Sequence, residues 1–322
     1  IGGHPLKGIK EELQARGRCH ELAVPLLTER EVETFVSHCF SQNPSAVKLA
    51  SVIHRRTEGN ALFMVNVVNA VASQKMAHTN GHQEPWDSIV DFDVPVNLRQ
   101  IIEQQLEKFT IEERHLLEAA SVAGTEFTAA AVAVGVGREA LRVEELCAEF
   151  VRRQLFIQER ETADWPDGTV SARYGFIHTL YHEVLYDRVT AGRRVALHQR
   201  IGERLEQGYG PRTSEIAAEL ALHFEQGRDY RRAIEYLTQE AEKDRQRFAY
   251  REAANHLTKA LELLKTLPAT LEHKRQELVL QTALGGTLIA TKGFAVPEVG
   301  TVFARARELY RQVGESPQLF SV

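Results

Sequence analysis

The chain has 322 residues, enough for two or three domains, and its 43% hydrophobic and 26% charged residues are ordinary for a globular protein. A formal net charge of −5 gives no general attraction to nucleic acid or to an anionic membrane. No apolar run approaches the roughly 20 residues of a membrane-spanning helix. Three cysteines without a CxxC pair argue against a disulfide framework or a thiolate zinc site, so a cytoplasmic protein is expected.

Helical periodicity dominates the first part of the chain. Thr28 and Glu31 have the spacing of a capping box, which marks the start of a helix. The segment 77–94 contains Asn80-Gly81 and has little periodicity, so it is predicted to be a linker. Before this linker, the pattern predicts four helices, at 5–16, from Thr28 to Phe40, at 45–56 and at 61–73.

A compact pattern follows Pro95, in which helices give way to two strands. The helices are predicted at 95–109, from Thr110 to Ala120, near 128–135 and at 138–154. Thr110 with Glu113 caps the second of them. The strands are predicted at 155–159 and 170–177, joined by a turn at Asp164–Gly168. Several helices followed by a β-hairpin indicate a winged helix.

From His178 onward the pattern is helical again, with short breaks at Gly, Asp or Pro. The helices are predicted at 178–189, 193–207, 213–226, 229–244, 248–265, 270–290 and 296–313. Small and large apolar residues recur at positions typical of tetratricopeptide repeats, among them Ala217, Phe224, Ala233 and Ala253. The pattern therefore favours a helical solenoid, and a generic helical bundle stays open as the alternative.

The chain lacks the motifs of a complete ATPase. It has no GxxxxGK[ST] loop to hold phosphates and no apolar strand ending in paired acids, so this chain by itself is not expected to hydrolyse ATP. His178 and His182 are four residues apart and share a helix face, with Glu183 next to them, which suggests zinc. The motif HTLYHE is not HExxH, however, and no third ligand is apparent. A structural or sensor histidine is favoured over a metal site.

The helix at 138–154 would be the recognition helix if the winged helix read DNA. Four arginines on it are interleaved with four glutamates: Arg138, Arg142, Arg152 and Arg153 with Glu139, Glu144, Glu145 and Glu149. These carboxylates would repel phosphates and offset the gain from counterion release. Direct nucleic-acid binding is therefore disfavoured, although a DNA-binding regulator remains an alternative.

Six segments of the chain, taken in their order along the sequence, carry a resemblance to a known class of proteins. They are HPLKGIKEEL, TEGNALFMVNVV, VPVNLRQIIEQQLEKF, IEERHLLEAASVAGTEF, YGFIHTLYHEVLY and RRVALHQRIGERLE. Together they resemble the distal half of bacterial predicted ATPases of the STAND class, the signal-transduction ATPases with numerous domains. In that class an ATPase core is followed by a winged helix and tetratricopeptide-like repeats.

The resemblance implies a mainly α chain with three parts and a linker. They are the end of a P-loop ATPase core with its small helical subdomain (1–76), the linker (77–94), a winged-helix domain (95–190) and tetratricopeptide-like repeats (191–322). The chain begins without Met and both ends look cut, so a fragment of a longer protein is expected. The parent protein is then expected to be an ATPase that uses Mg²⁺, with its phosphate-binding loop upstream of this chain.

The resemblance also carries over a nucleotide site for ATP or ADP. Its adenine-contacting element corresponds to Gly59, Asn60 and Ala61, where alanine stands in place of the usual proline. Its winged-helix histidine, which reports on the bound diphosphate, corresponds to His178. The residue types suit these roles, because Gly59 permits close backbone approach, Thr57 could cap the next helix, and helix N-termini attract anions.

A regulatory function follows as the leading hypothesis. The chain is expected to be part of an ATP/ADP-dependent signalling switch that couples the winged helix to a protein partner or effector on the repeats. The output domain of the parent would be a cyclase, a kinase or a DNA-binding domain, and no membrane partner is expected. The alternative is a scaffold for protein–protein interaction that does not depend on nucleotide.

Overall fold

A computed structural model describes residues 25–40, 46–61, 63–65, 67–68, 71, 96–153 and 155–313. The described part is mainly helical, as the sequence predicts. The predicted helix at 5–16 and the predicted linker at 77–94 lie outside the described residues. Among the helices that are described, none is both long and apolar enough to cross a membrane.

Most elements of the described residues are helices, and the five short strands all lie between residues 126 and 176. In chain order the elements are α1 (Glu29–Cys39), α2 (Ala46–Thr57), α3 (Val96–Glu107), α4 (Ile111–Ala123), β1 (Glu126–Thr128), α5 (Ala129–Val136), α6 (Ala140–Arg152), β2 (Ile157–Glu159), β3 (Ala163–Asp164), β4 (Val170–Ser171), β5 (Arg173–Phe176), α7 (Thr179–Arg188), α8 (Ala191–Tyr209), a 3₁₀ helix (Gly210–Ile216), α9 (Ala217–Gln226), α10 (Tyr230–Gln246), α11 (Tyr250–Leu264), α12 (Leu271–Lys292) and α13 (Pro297–Val313). Further helical residues lie at 61, 63–65, 67–68 and 71.

The chain divides into two compact units. The first comprises Ile1–Ala129, Glu139–Thr162 and Ala172–Val189, of which the ranges above are described. The second comprises Ala130–Arg138, Ala163–Ser171 and the residues from Thr190 onward. Most of α5 and the pair β3–β4 therefore belong to the second unit, although both fall within the predicted 95–190 domain.

Both helix starts that were predicted from Thr and Glu are confirmed in the first unit. The Thr28 hydroxyl accepts the N–H of Glu31, and the Glu31 carboxylate accepts the N–H of Thr28, which closes a capping box on α1. Thr110 and Glu113 do the same at α4. Each box satisfies two backbone donors that the helix itself leaves unpaired, which stabilises a helix end by about 1 kcal/mol.

An antiparallel sheet in the order β1-β5-β2 organises the same unit. Phe127 on β1 pairs with Tyr174 on β5, and Gln158 on β2 pairs with Gly175 on β5. Both predicted strand regions contain strands, but these strands are shorter than predicted. The first region contains only β2, and the second is divided at Ala172 into β4 and β5. Strand β1 was not predicted, since three residues are too few to show an alternating pattern.

Aromatic side chains form the centre of the first unit's core beside this sheet. The ring of Phe109 lies 5.2 Å from that of Phe150 and 5.6 Å from that of Phe156, in edge-to-face geometry. Both Phe150 and Phe156 are about 1% exposed. Burying a phenylalanine stabilises the fold by about 1.5–3 kcal/mol, and such ring pairs add a smaller amount.

The second unit contains helices α8 to α13, in which consecutive helices pack against each other. Small residues permit the close approach. A Cβ on Gly202 would lie 3.2 Å from the Cβ of His223, and one on Gly285 would lie 2.6 Å from the ring of Phe303. Short connections make consecutive helices antiparallel, which is consistent with the predicted helical solenoid. The assignment to tetratricopeptide repeats stays a prediction.

One predicted helix in this unit starts later than the sequence pattern indicated. Residues Gly210–Ile216 form a 3₁₀ turn, and α9 begins only at Ala217 instead of 213. Gly210 has a φ of 48°, which ends α8, and Pro211 has no N–H to continue an α-helical ladder. The change of helix type therefore follows from this Gly-Pro pair.

Candidate functional site

The first part of the candidate site is the turn between α2 and the helical residues that follow it. Glu58 and Gly59 both have positive φ, at 49° and 75°. The N–H of Asn60 donates to the carbonyl of Thr57 at 2.8 Å. The Asn60 side chain then accepts the N–H of Phe63 at 3.2 Å, so Asn60 is the cap of the next helix. Thr57 is not the cap, because its hydroxyl donates to the carbonyl of Ile53.

Gly59 is required here by close backbone packing as well as by its φ. The N–H of Leu27 donates to the carbonyl of Gly59 at 2.8 Å, and His54 Nε2 donates to the carbonyl of Leu27 at 3.1 Å. A Cβ on Gly59 would lie 2.1 Å from the Leu27 carbonyl oxygen. The space that the missing side chain leaves is therefore filled by the backbone of Leu27.

The second part of the site is His178, which caps α7 and contacts the same turn. Its Nε2 lies 2.7 Å from the Thr57 carbonyl oxygen, and its Nδ1 accepts the N–H of Leu180 at 3.0 Å. Because a carbonyl can only accept, Nε2 carries the proton and Nδ1 is the acceptor, which fixes a neutral tautomer. His178 is 4% exposed and Thr57 is fully buried. We call this contact the Thr57–His178 junction.

Aromatic rings enclose the junction. The ring of Phe63 meets that of His178 edge-on with centroids 4.6 Å apart, and the ring of Tyr181 lies 5.9 Å from that of Phe63. Tyr181 also lies 4.5 Å from Phe156 in the core, and burial raises the pKa of its hydroxyl. Excluding water in this way strengthens the hydrogen bond from His178 to Thr57.

Two ion pairs join α7 to the preceding helices near the junction. Arg56 contacts Glu183 at 3.1 Å, and Arg99 contacts Asp187 at 2.6 Å. All four side chains are more than a third exposed, so each pair stabilises the contact by less than about 1 kcal/mol. The buried junction, rather than these pairs, therefore holds α7 against α2.

The structure brings together three of the four residues assigned to the nucleotide site. Gly59 and Asn60 form the turn whose first carbonyl, that of Thr57, accepts the proton of His178. Ala61 is exposed at the start of the next helix. Leu27 and Phe63 were not predicted to belong to this site, because backbone packing and an edge-on ring contact leave no mark in the sequence pattern.

In this conformation neither the ring nitrogens of His178 nor the space beside Gly59 are open to a nucleotide. Both ring nitrogens of His178 are engaged by the protein, one by Thr57 and the other by Leu180. Leu27 occupies the approach to Gly59. The arrangement is therefore an intramolecular contact within the first unit. The His178 ring could contact a diphosphate only after its hydrogen bond to Thr57 is broken.

The three residues considered for zinc are held by separate partners. Glu183 pairs with Arg56, while the His182 ring lies 5.5 Å from Phe176 and stacks on Tyr186 at 6.0 Å. Burial lowers the pKa of His182. Over the described ranges, no group of three or more His, Cys, Asp or Glu residues could hold a metal ion.

Three of the four arginines considered for DNA binding, on α6 and at its C-terminal end, contact carboxylates. Arg142 contacts Glu112 and Glu145, each at 3.3 Å. The other contacts are Arg152 with Glu149 at 3.5 Å and Arg153 with Glu113 at 3.3 Å. These ion pairs offset much of the positive charge that α6 would offer to phosphates.

Comparison with known proteins gives a distant relative. No family model matches the chain. Over 229 residues the chain is 27% identical to an uncharacterized protein of Rhizobium meliloti (strain 1021), a stretch that covers 69% of this chain and 21% of the relative. The chain thus spans about a fifth of that protein's length, and the relative's name states no activity.

Proposed function

We propose that this chain is a regulatory segment of a nucleotide-dependent signalling switch, in which the Thr57–His178 junction is the contact that changes between states. The resemblance to STAND-class ATPases motivates the nucleotide dependence and assigns the segments to a core remnant, a winged helix and repeats. The observation that carries the proposal is the buried hydrogen bond from His178 to Thr57, which joins segments 121 residues apart in the sequence.

Several features support a two-state role for this contact. A single imidazole both caps α7 and reaches the carbonyl at the end of α2, so moving it alters two helices at once. The flanking ion pairs of Arg56 and Arg99 are partly exposed and therefore weak. A ligand that binds one arrangement better would shift the population by its differential affinity. The repeats would supply the second site that biases the same equilibrium.

The test is nucleotide binding by the full-length protein, measured by calorimetry with ADP and ATP. We expect His178→Ala to weaken ADP binding at least about tenfold, which corresponds to about 1.4 kcal/mol. His178→Asn is a sharper variant, because asparagine keeps an N-cap acceptor for α7 but is too short to reach Thr57. The exposed His115→Ala on α4 is the matched control and should bind as the wild type does.

Two outcomes would count against the switch. If neither nucleotide binds, or if both His178 variants bind ADP as tightly as the control, the junction has only a structural role. The second candidate function, a nucleotide-independent scaffold, would then be preferred. It is favoured by the exposed apolar side chains on the connections between repeat helices, notably Phe248 and Phe294.

A further inference from the structure

Two consecutive turns in the second unit share one backbone conformation, and this allows a direct comparison. At the first turn, Arg228 has a φ of 61° and the N–H of Asp229 donates to the carbonyl of Phe224. At the second turn, Phe248 also has a φ of 61° and the N–H of Ala249 donates to the carbonyl of Asp244. Position 248 therefore corresponds to position 228.

Phenylalanine is a poor choice for this position on conformational grounds. A positive φ is unfavourable for a bulky side chain, and glycine or asparagine would adopt it more readily. The Phe248 side chain is also 78% exposed, with an edge-on contact to Tyr250 at 6.1 Å. The first turn shows that the fold does not need an aromatic residue here, so the packing of the second unit does not explain Phe248.

Two arginines lie close to Phe248 in the sequence. Arg247 and Arg251 are exposed, and neither side chain has an ion pair with any residue that the structure describes. At the first turn Asp229 binds Arg232, whereas the equivalent position at the second turn is Ala249. The second turn therefore presents an exposed aromatic residue with an exposed, unpaired arginine one residue before it and another three residues after it.

A second exposed aromatic residue lies at the same end of the helix array. Consecutive helices are antiparallel, so the α10–α11 and α12–α13 connections both lie at one end. Phe294, in the α12–α13 connection, is 81% exposed and follows Gly293, whose φ is 83°. We define the basic-aromatic edge as Arg247, Phe248, Arg251 and Phe294.

We propose that the basic-aromatic edge binds a short acidic protein segment that places apolar side chains among its carboxylates. The two arginines supply charge complementarity, and the two phenylalanines supply apolar contact area. A short segment is favoured over nucleic acid or an anionic membrane, because a long polyanion responds to the whole molecule, whose net charge is −5. The proposal goes beyond the switch and does not depend on nucleotide.

The experiment uses fluorescence anisotropy on the full chain without nucleotide. The probe is a fluorescein-labelled peptide in which phenylalanines are separated by pairs of glutamates, and the comparison probes are the same peptide with lysines for glutamates and an oligothymidylate. We expect the acidic peptide to bind with a Kd below about 1 mM and the lysine peptide to bind at least about tenfold more weakly. The oligothymidylate should bind no better than the lysine peptide.

The variant Phe248→Gly separates binding from folding. Because glycine suits a φ of 61°, this variant should unfold at a urea concentration no lower than the wild type, yet lose at least about tenfold in peptide affinity. Arg228→Gly makes the same change at the equivalent turn and should leave peptide affinity unchanged. Arg247→Glu combined with Arg251→Glu should abolish binding of the acidic peptide.

The proposal is overturned by any of three results. One is absence of binding by the acidic peptide at about 1 mM. Another is a loss of selectivity, in which the lysine peptide binds as tightly as the acidic peptide or the oligothymidylate binds more tightly than the acidic peptide. Tighter binding of the oligothymidylate would indicate a nucleic-acid surface. The third is wild-type affinity in Phe248→Gly. Because no nucleotide is present, these results are independent of the test of the switch.

Discussion

Replacing Gly59 by alanine is expected to lower the free energy of unfolding of the first unit by about 3–5 kcal/mol. A φ of 75° costs a non-glycine residue about 1–2 kcal/mol, and the new Cβ would lie 2.1 Å from the Leu27 carbonyl oxygen. Leu27 would have to move, which breaks its hydrogen bond to Gly59 and displaces the acceptor of His54. Urea denaturation followed by hydrogen exchange of the α2 amides would measure the loss.

Gly137→Ala, in the second unit, provides the control for this prediction, with hydrogen exchange of the α5 amides as its local probe. Gly137 has a φ of 65°, but no atom lies within 4 Å of the position its Cβ would take. This variant therefore measures the effect of the positive φ alone and should lower the free energy of unfolding by only about 1–2 kcal/mol. If the two substitutions cost the same, close packing against Leu27 does not account for Gly59.

The second unit is expected to lose about 5 kcal/mol of stability between pH 6.5 and pH 4.5. His198 and His223, on α8 and α9, are 3% and 1% exposed, with their Nδ1 atoms 3.0 Å apart. Burial, with the nearby charge of Arg194, lowers the pKa of His198 to about 4. Burial, with the neighbouring His198, lowers the pKa of His223 to about 3. One Nδ1 must donate and the other must accept, so the accepting ring has to be neutral, and burial disfavours a positive charge on either ring.

The direction of this pH dependence follows from the two pKa values. In the unfolded chain both histidines have a pKa near 6.5 and bind protons as the pH falls below it, whereas the folded unit does not. Each histidine therefore costs about 1.4 kcal/mol of stability per pH unit across this range. Above pH 6.5 the full stability is present.

Urea midpoints measured across this pH range, with hydrogen exchange of α8 and α9 as the local probe, would test the prediction. Replacing His198 and His223 together by leucine roughly keeps the side-chain volume and removes both titrating groups. The free energy of unfolding of the second unit should then depend little on pH over this range. The stability of the first unit should still depend on pH, because burial also lowers the pKa of His182. The prediction is contradicted if the stability of the second unit changes with pH in the double variant as much as it does in the wild type.

The sequence alone determined the mainly helical character and several helix starts. Thr28 with Glu31, and Thr110 with Glu113, predicted capping boxes that the structure contains, because the side chain and the backbone it caps are only three residues apart. The helices from α8 onward were also predicted at nearly their observed positions. Periodicity over 10 or more residues is a strong local signal.

Contacts between distant segments were decided only by the tertiary structure. The sequence predicted roles for Gly59 and His178, but it contains no sign that Leu27 fills the space beside Gly59 or that the His178 proton is donated to Thr57. Strand β1 was missed for the same reason, since its three residues are held by β5 rather than by their own propensity. Local propensity and capping act within a few residues, whereas these contacts depend on which segments the packed core brings together.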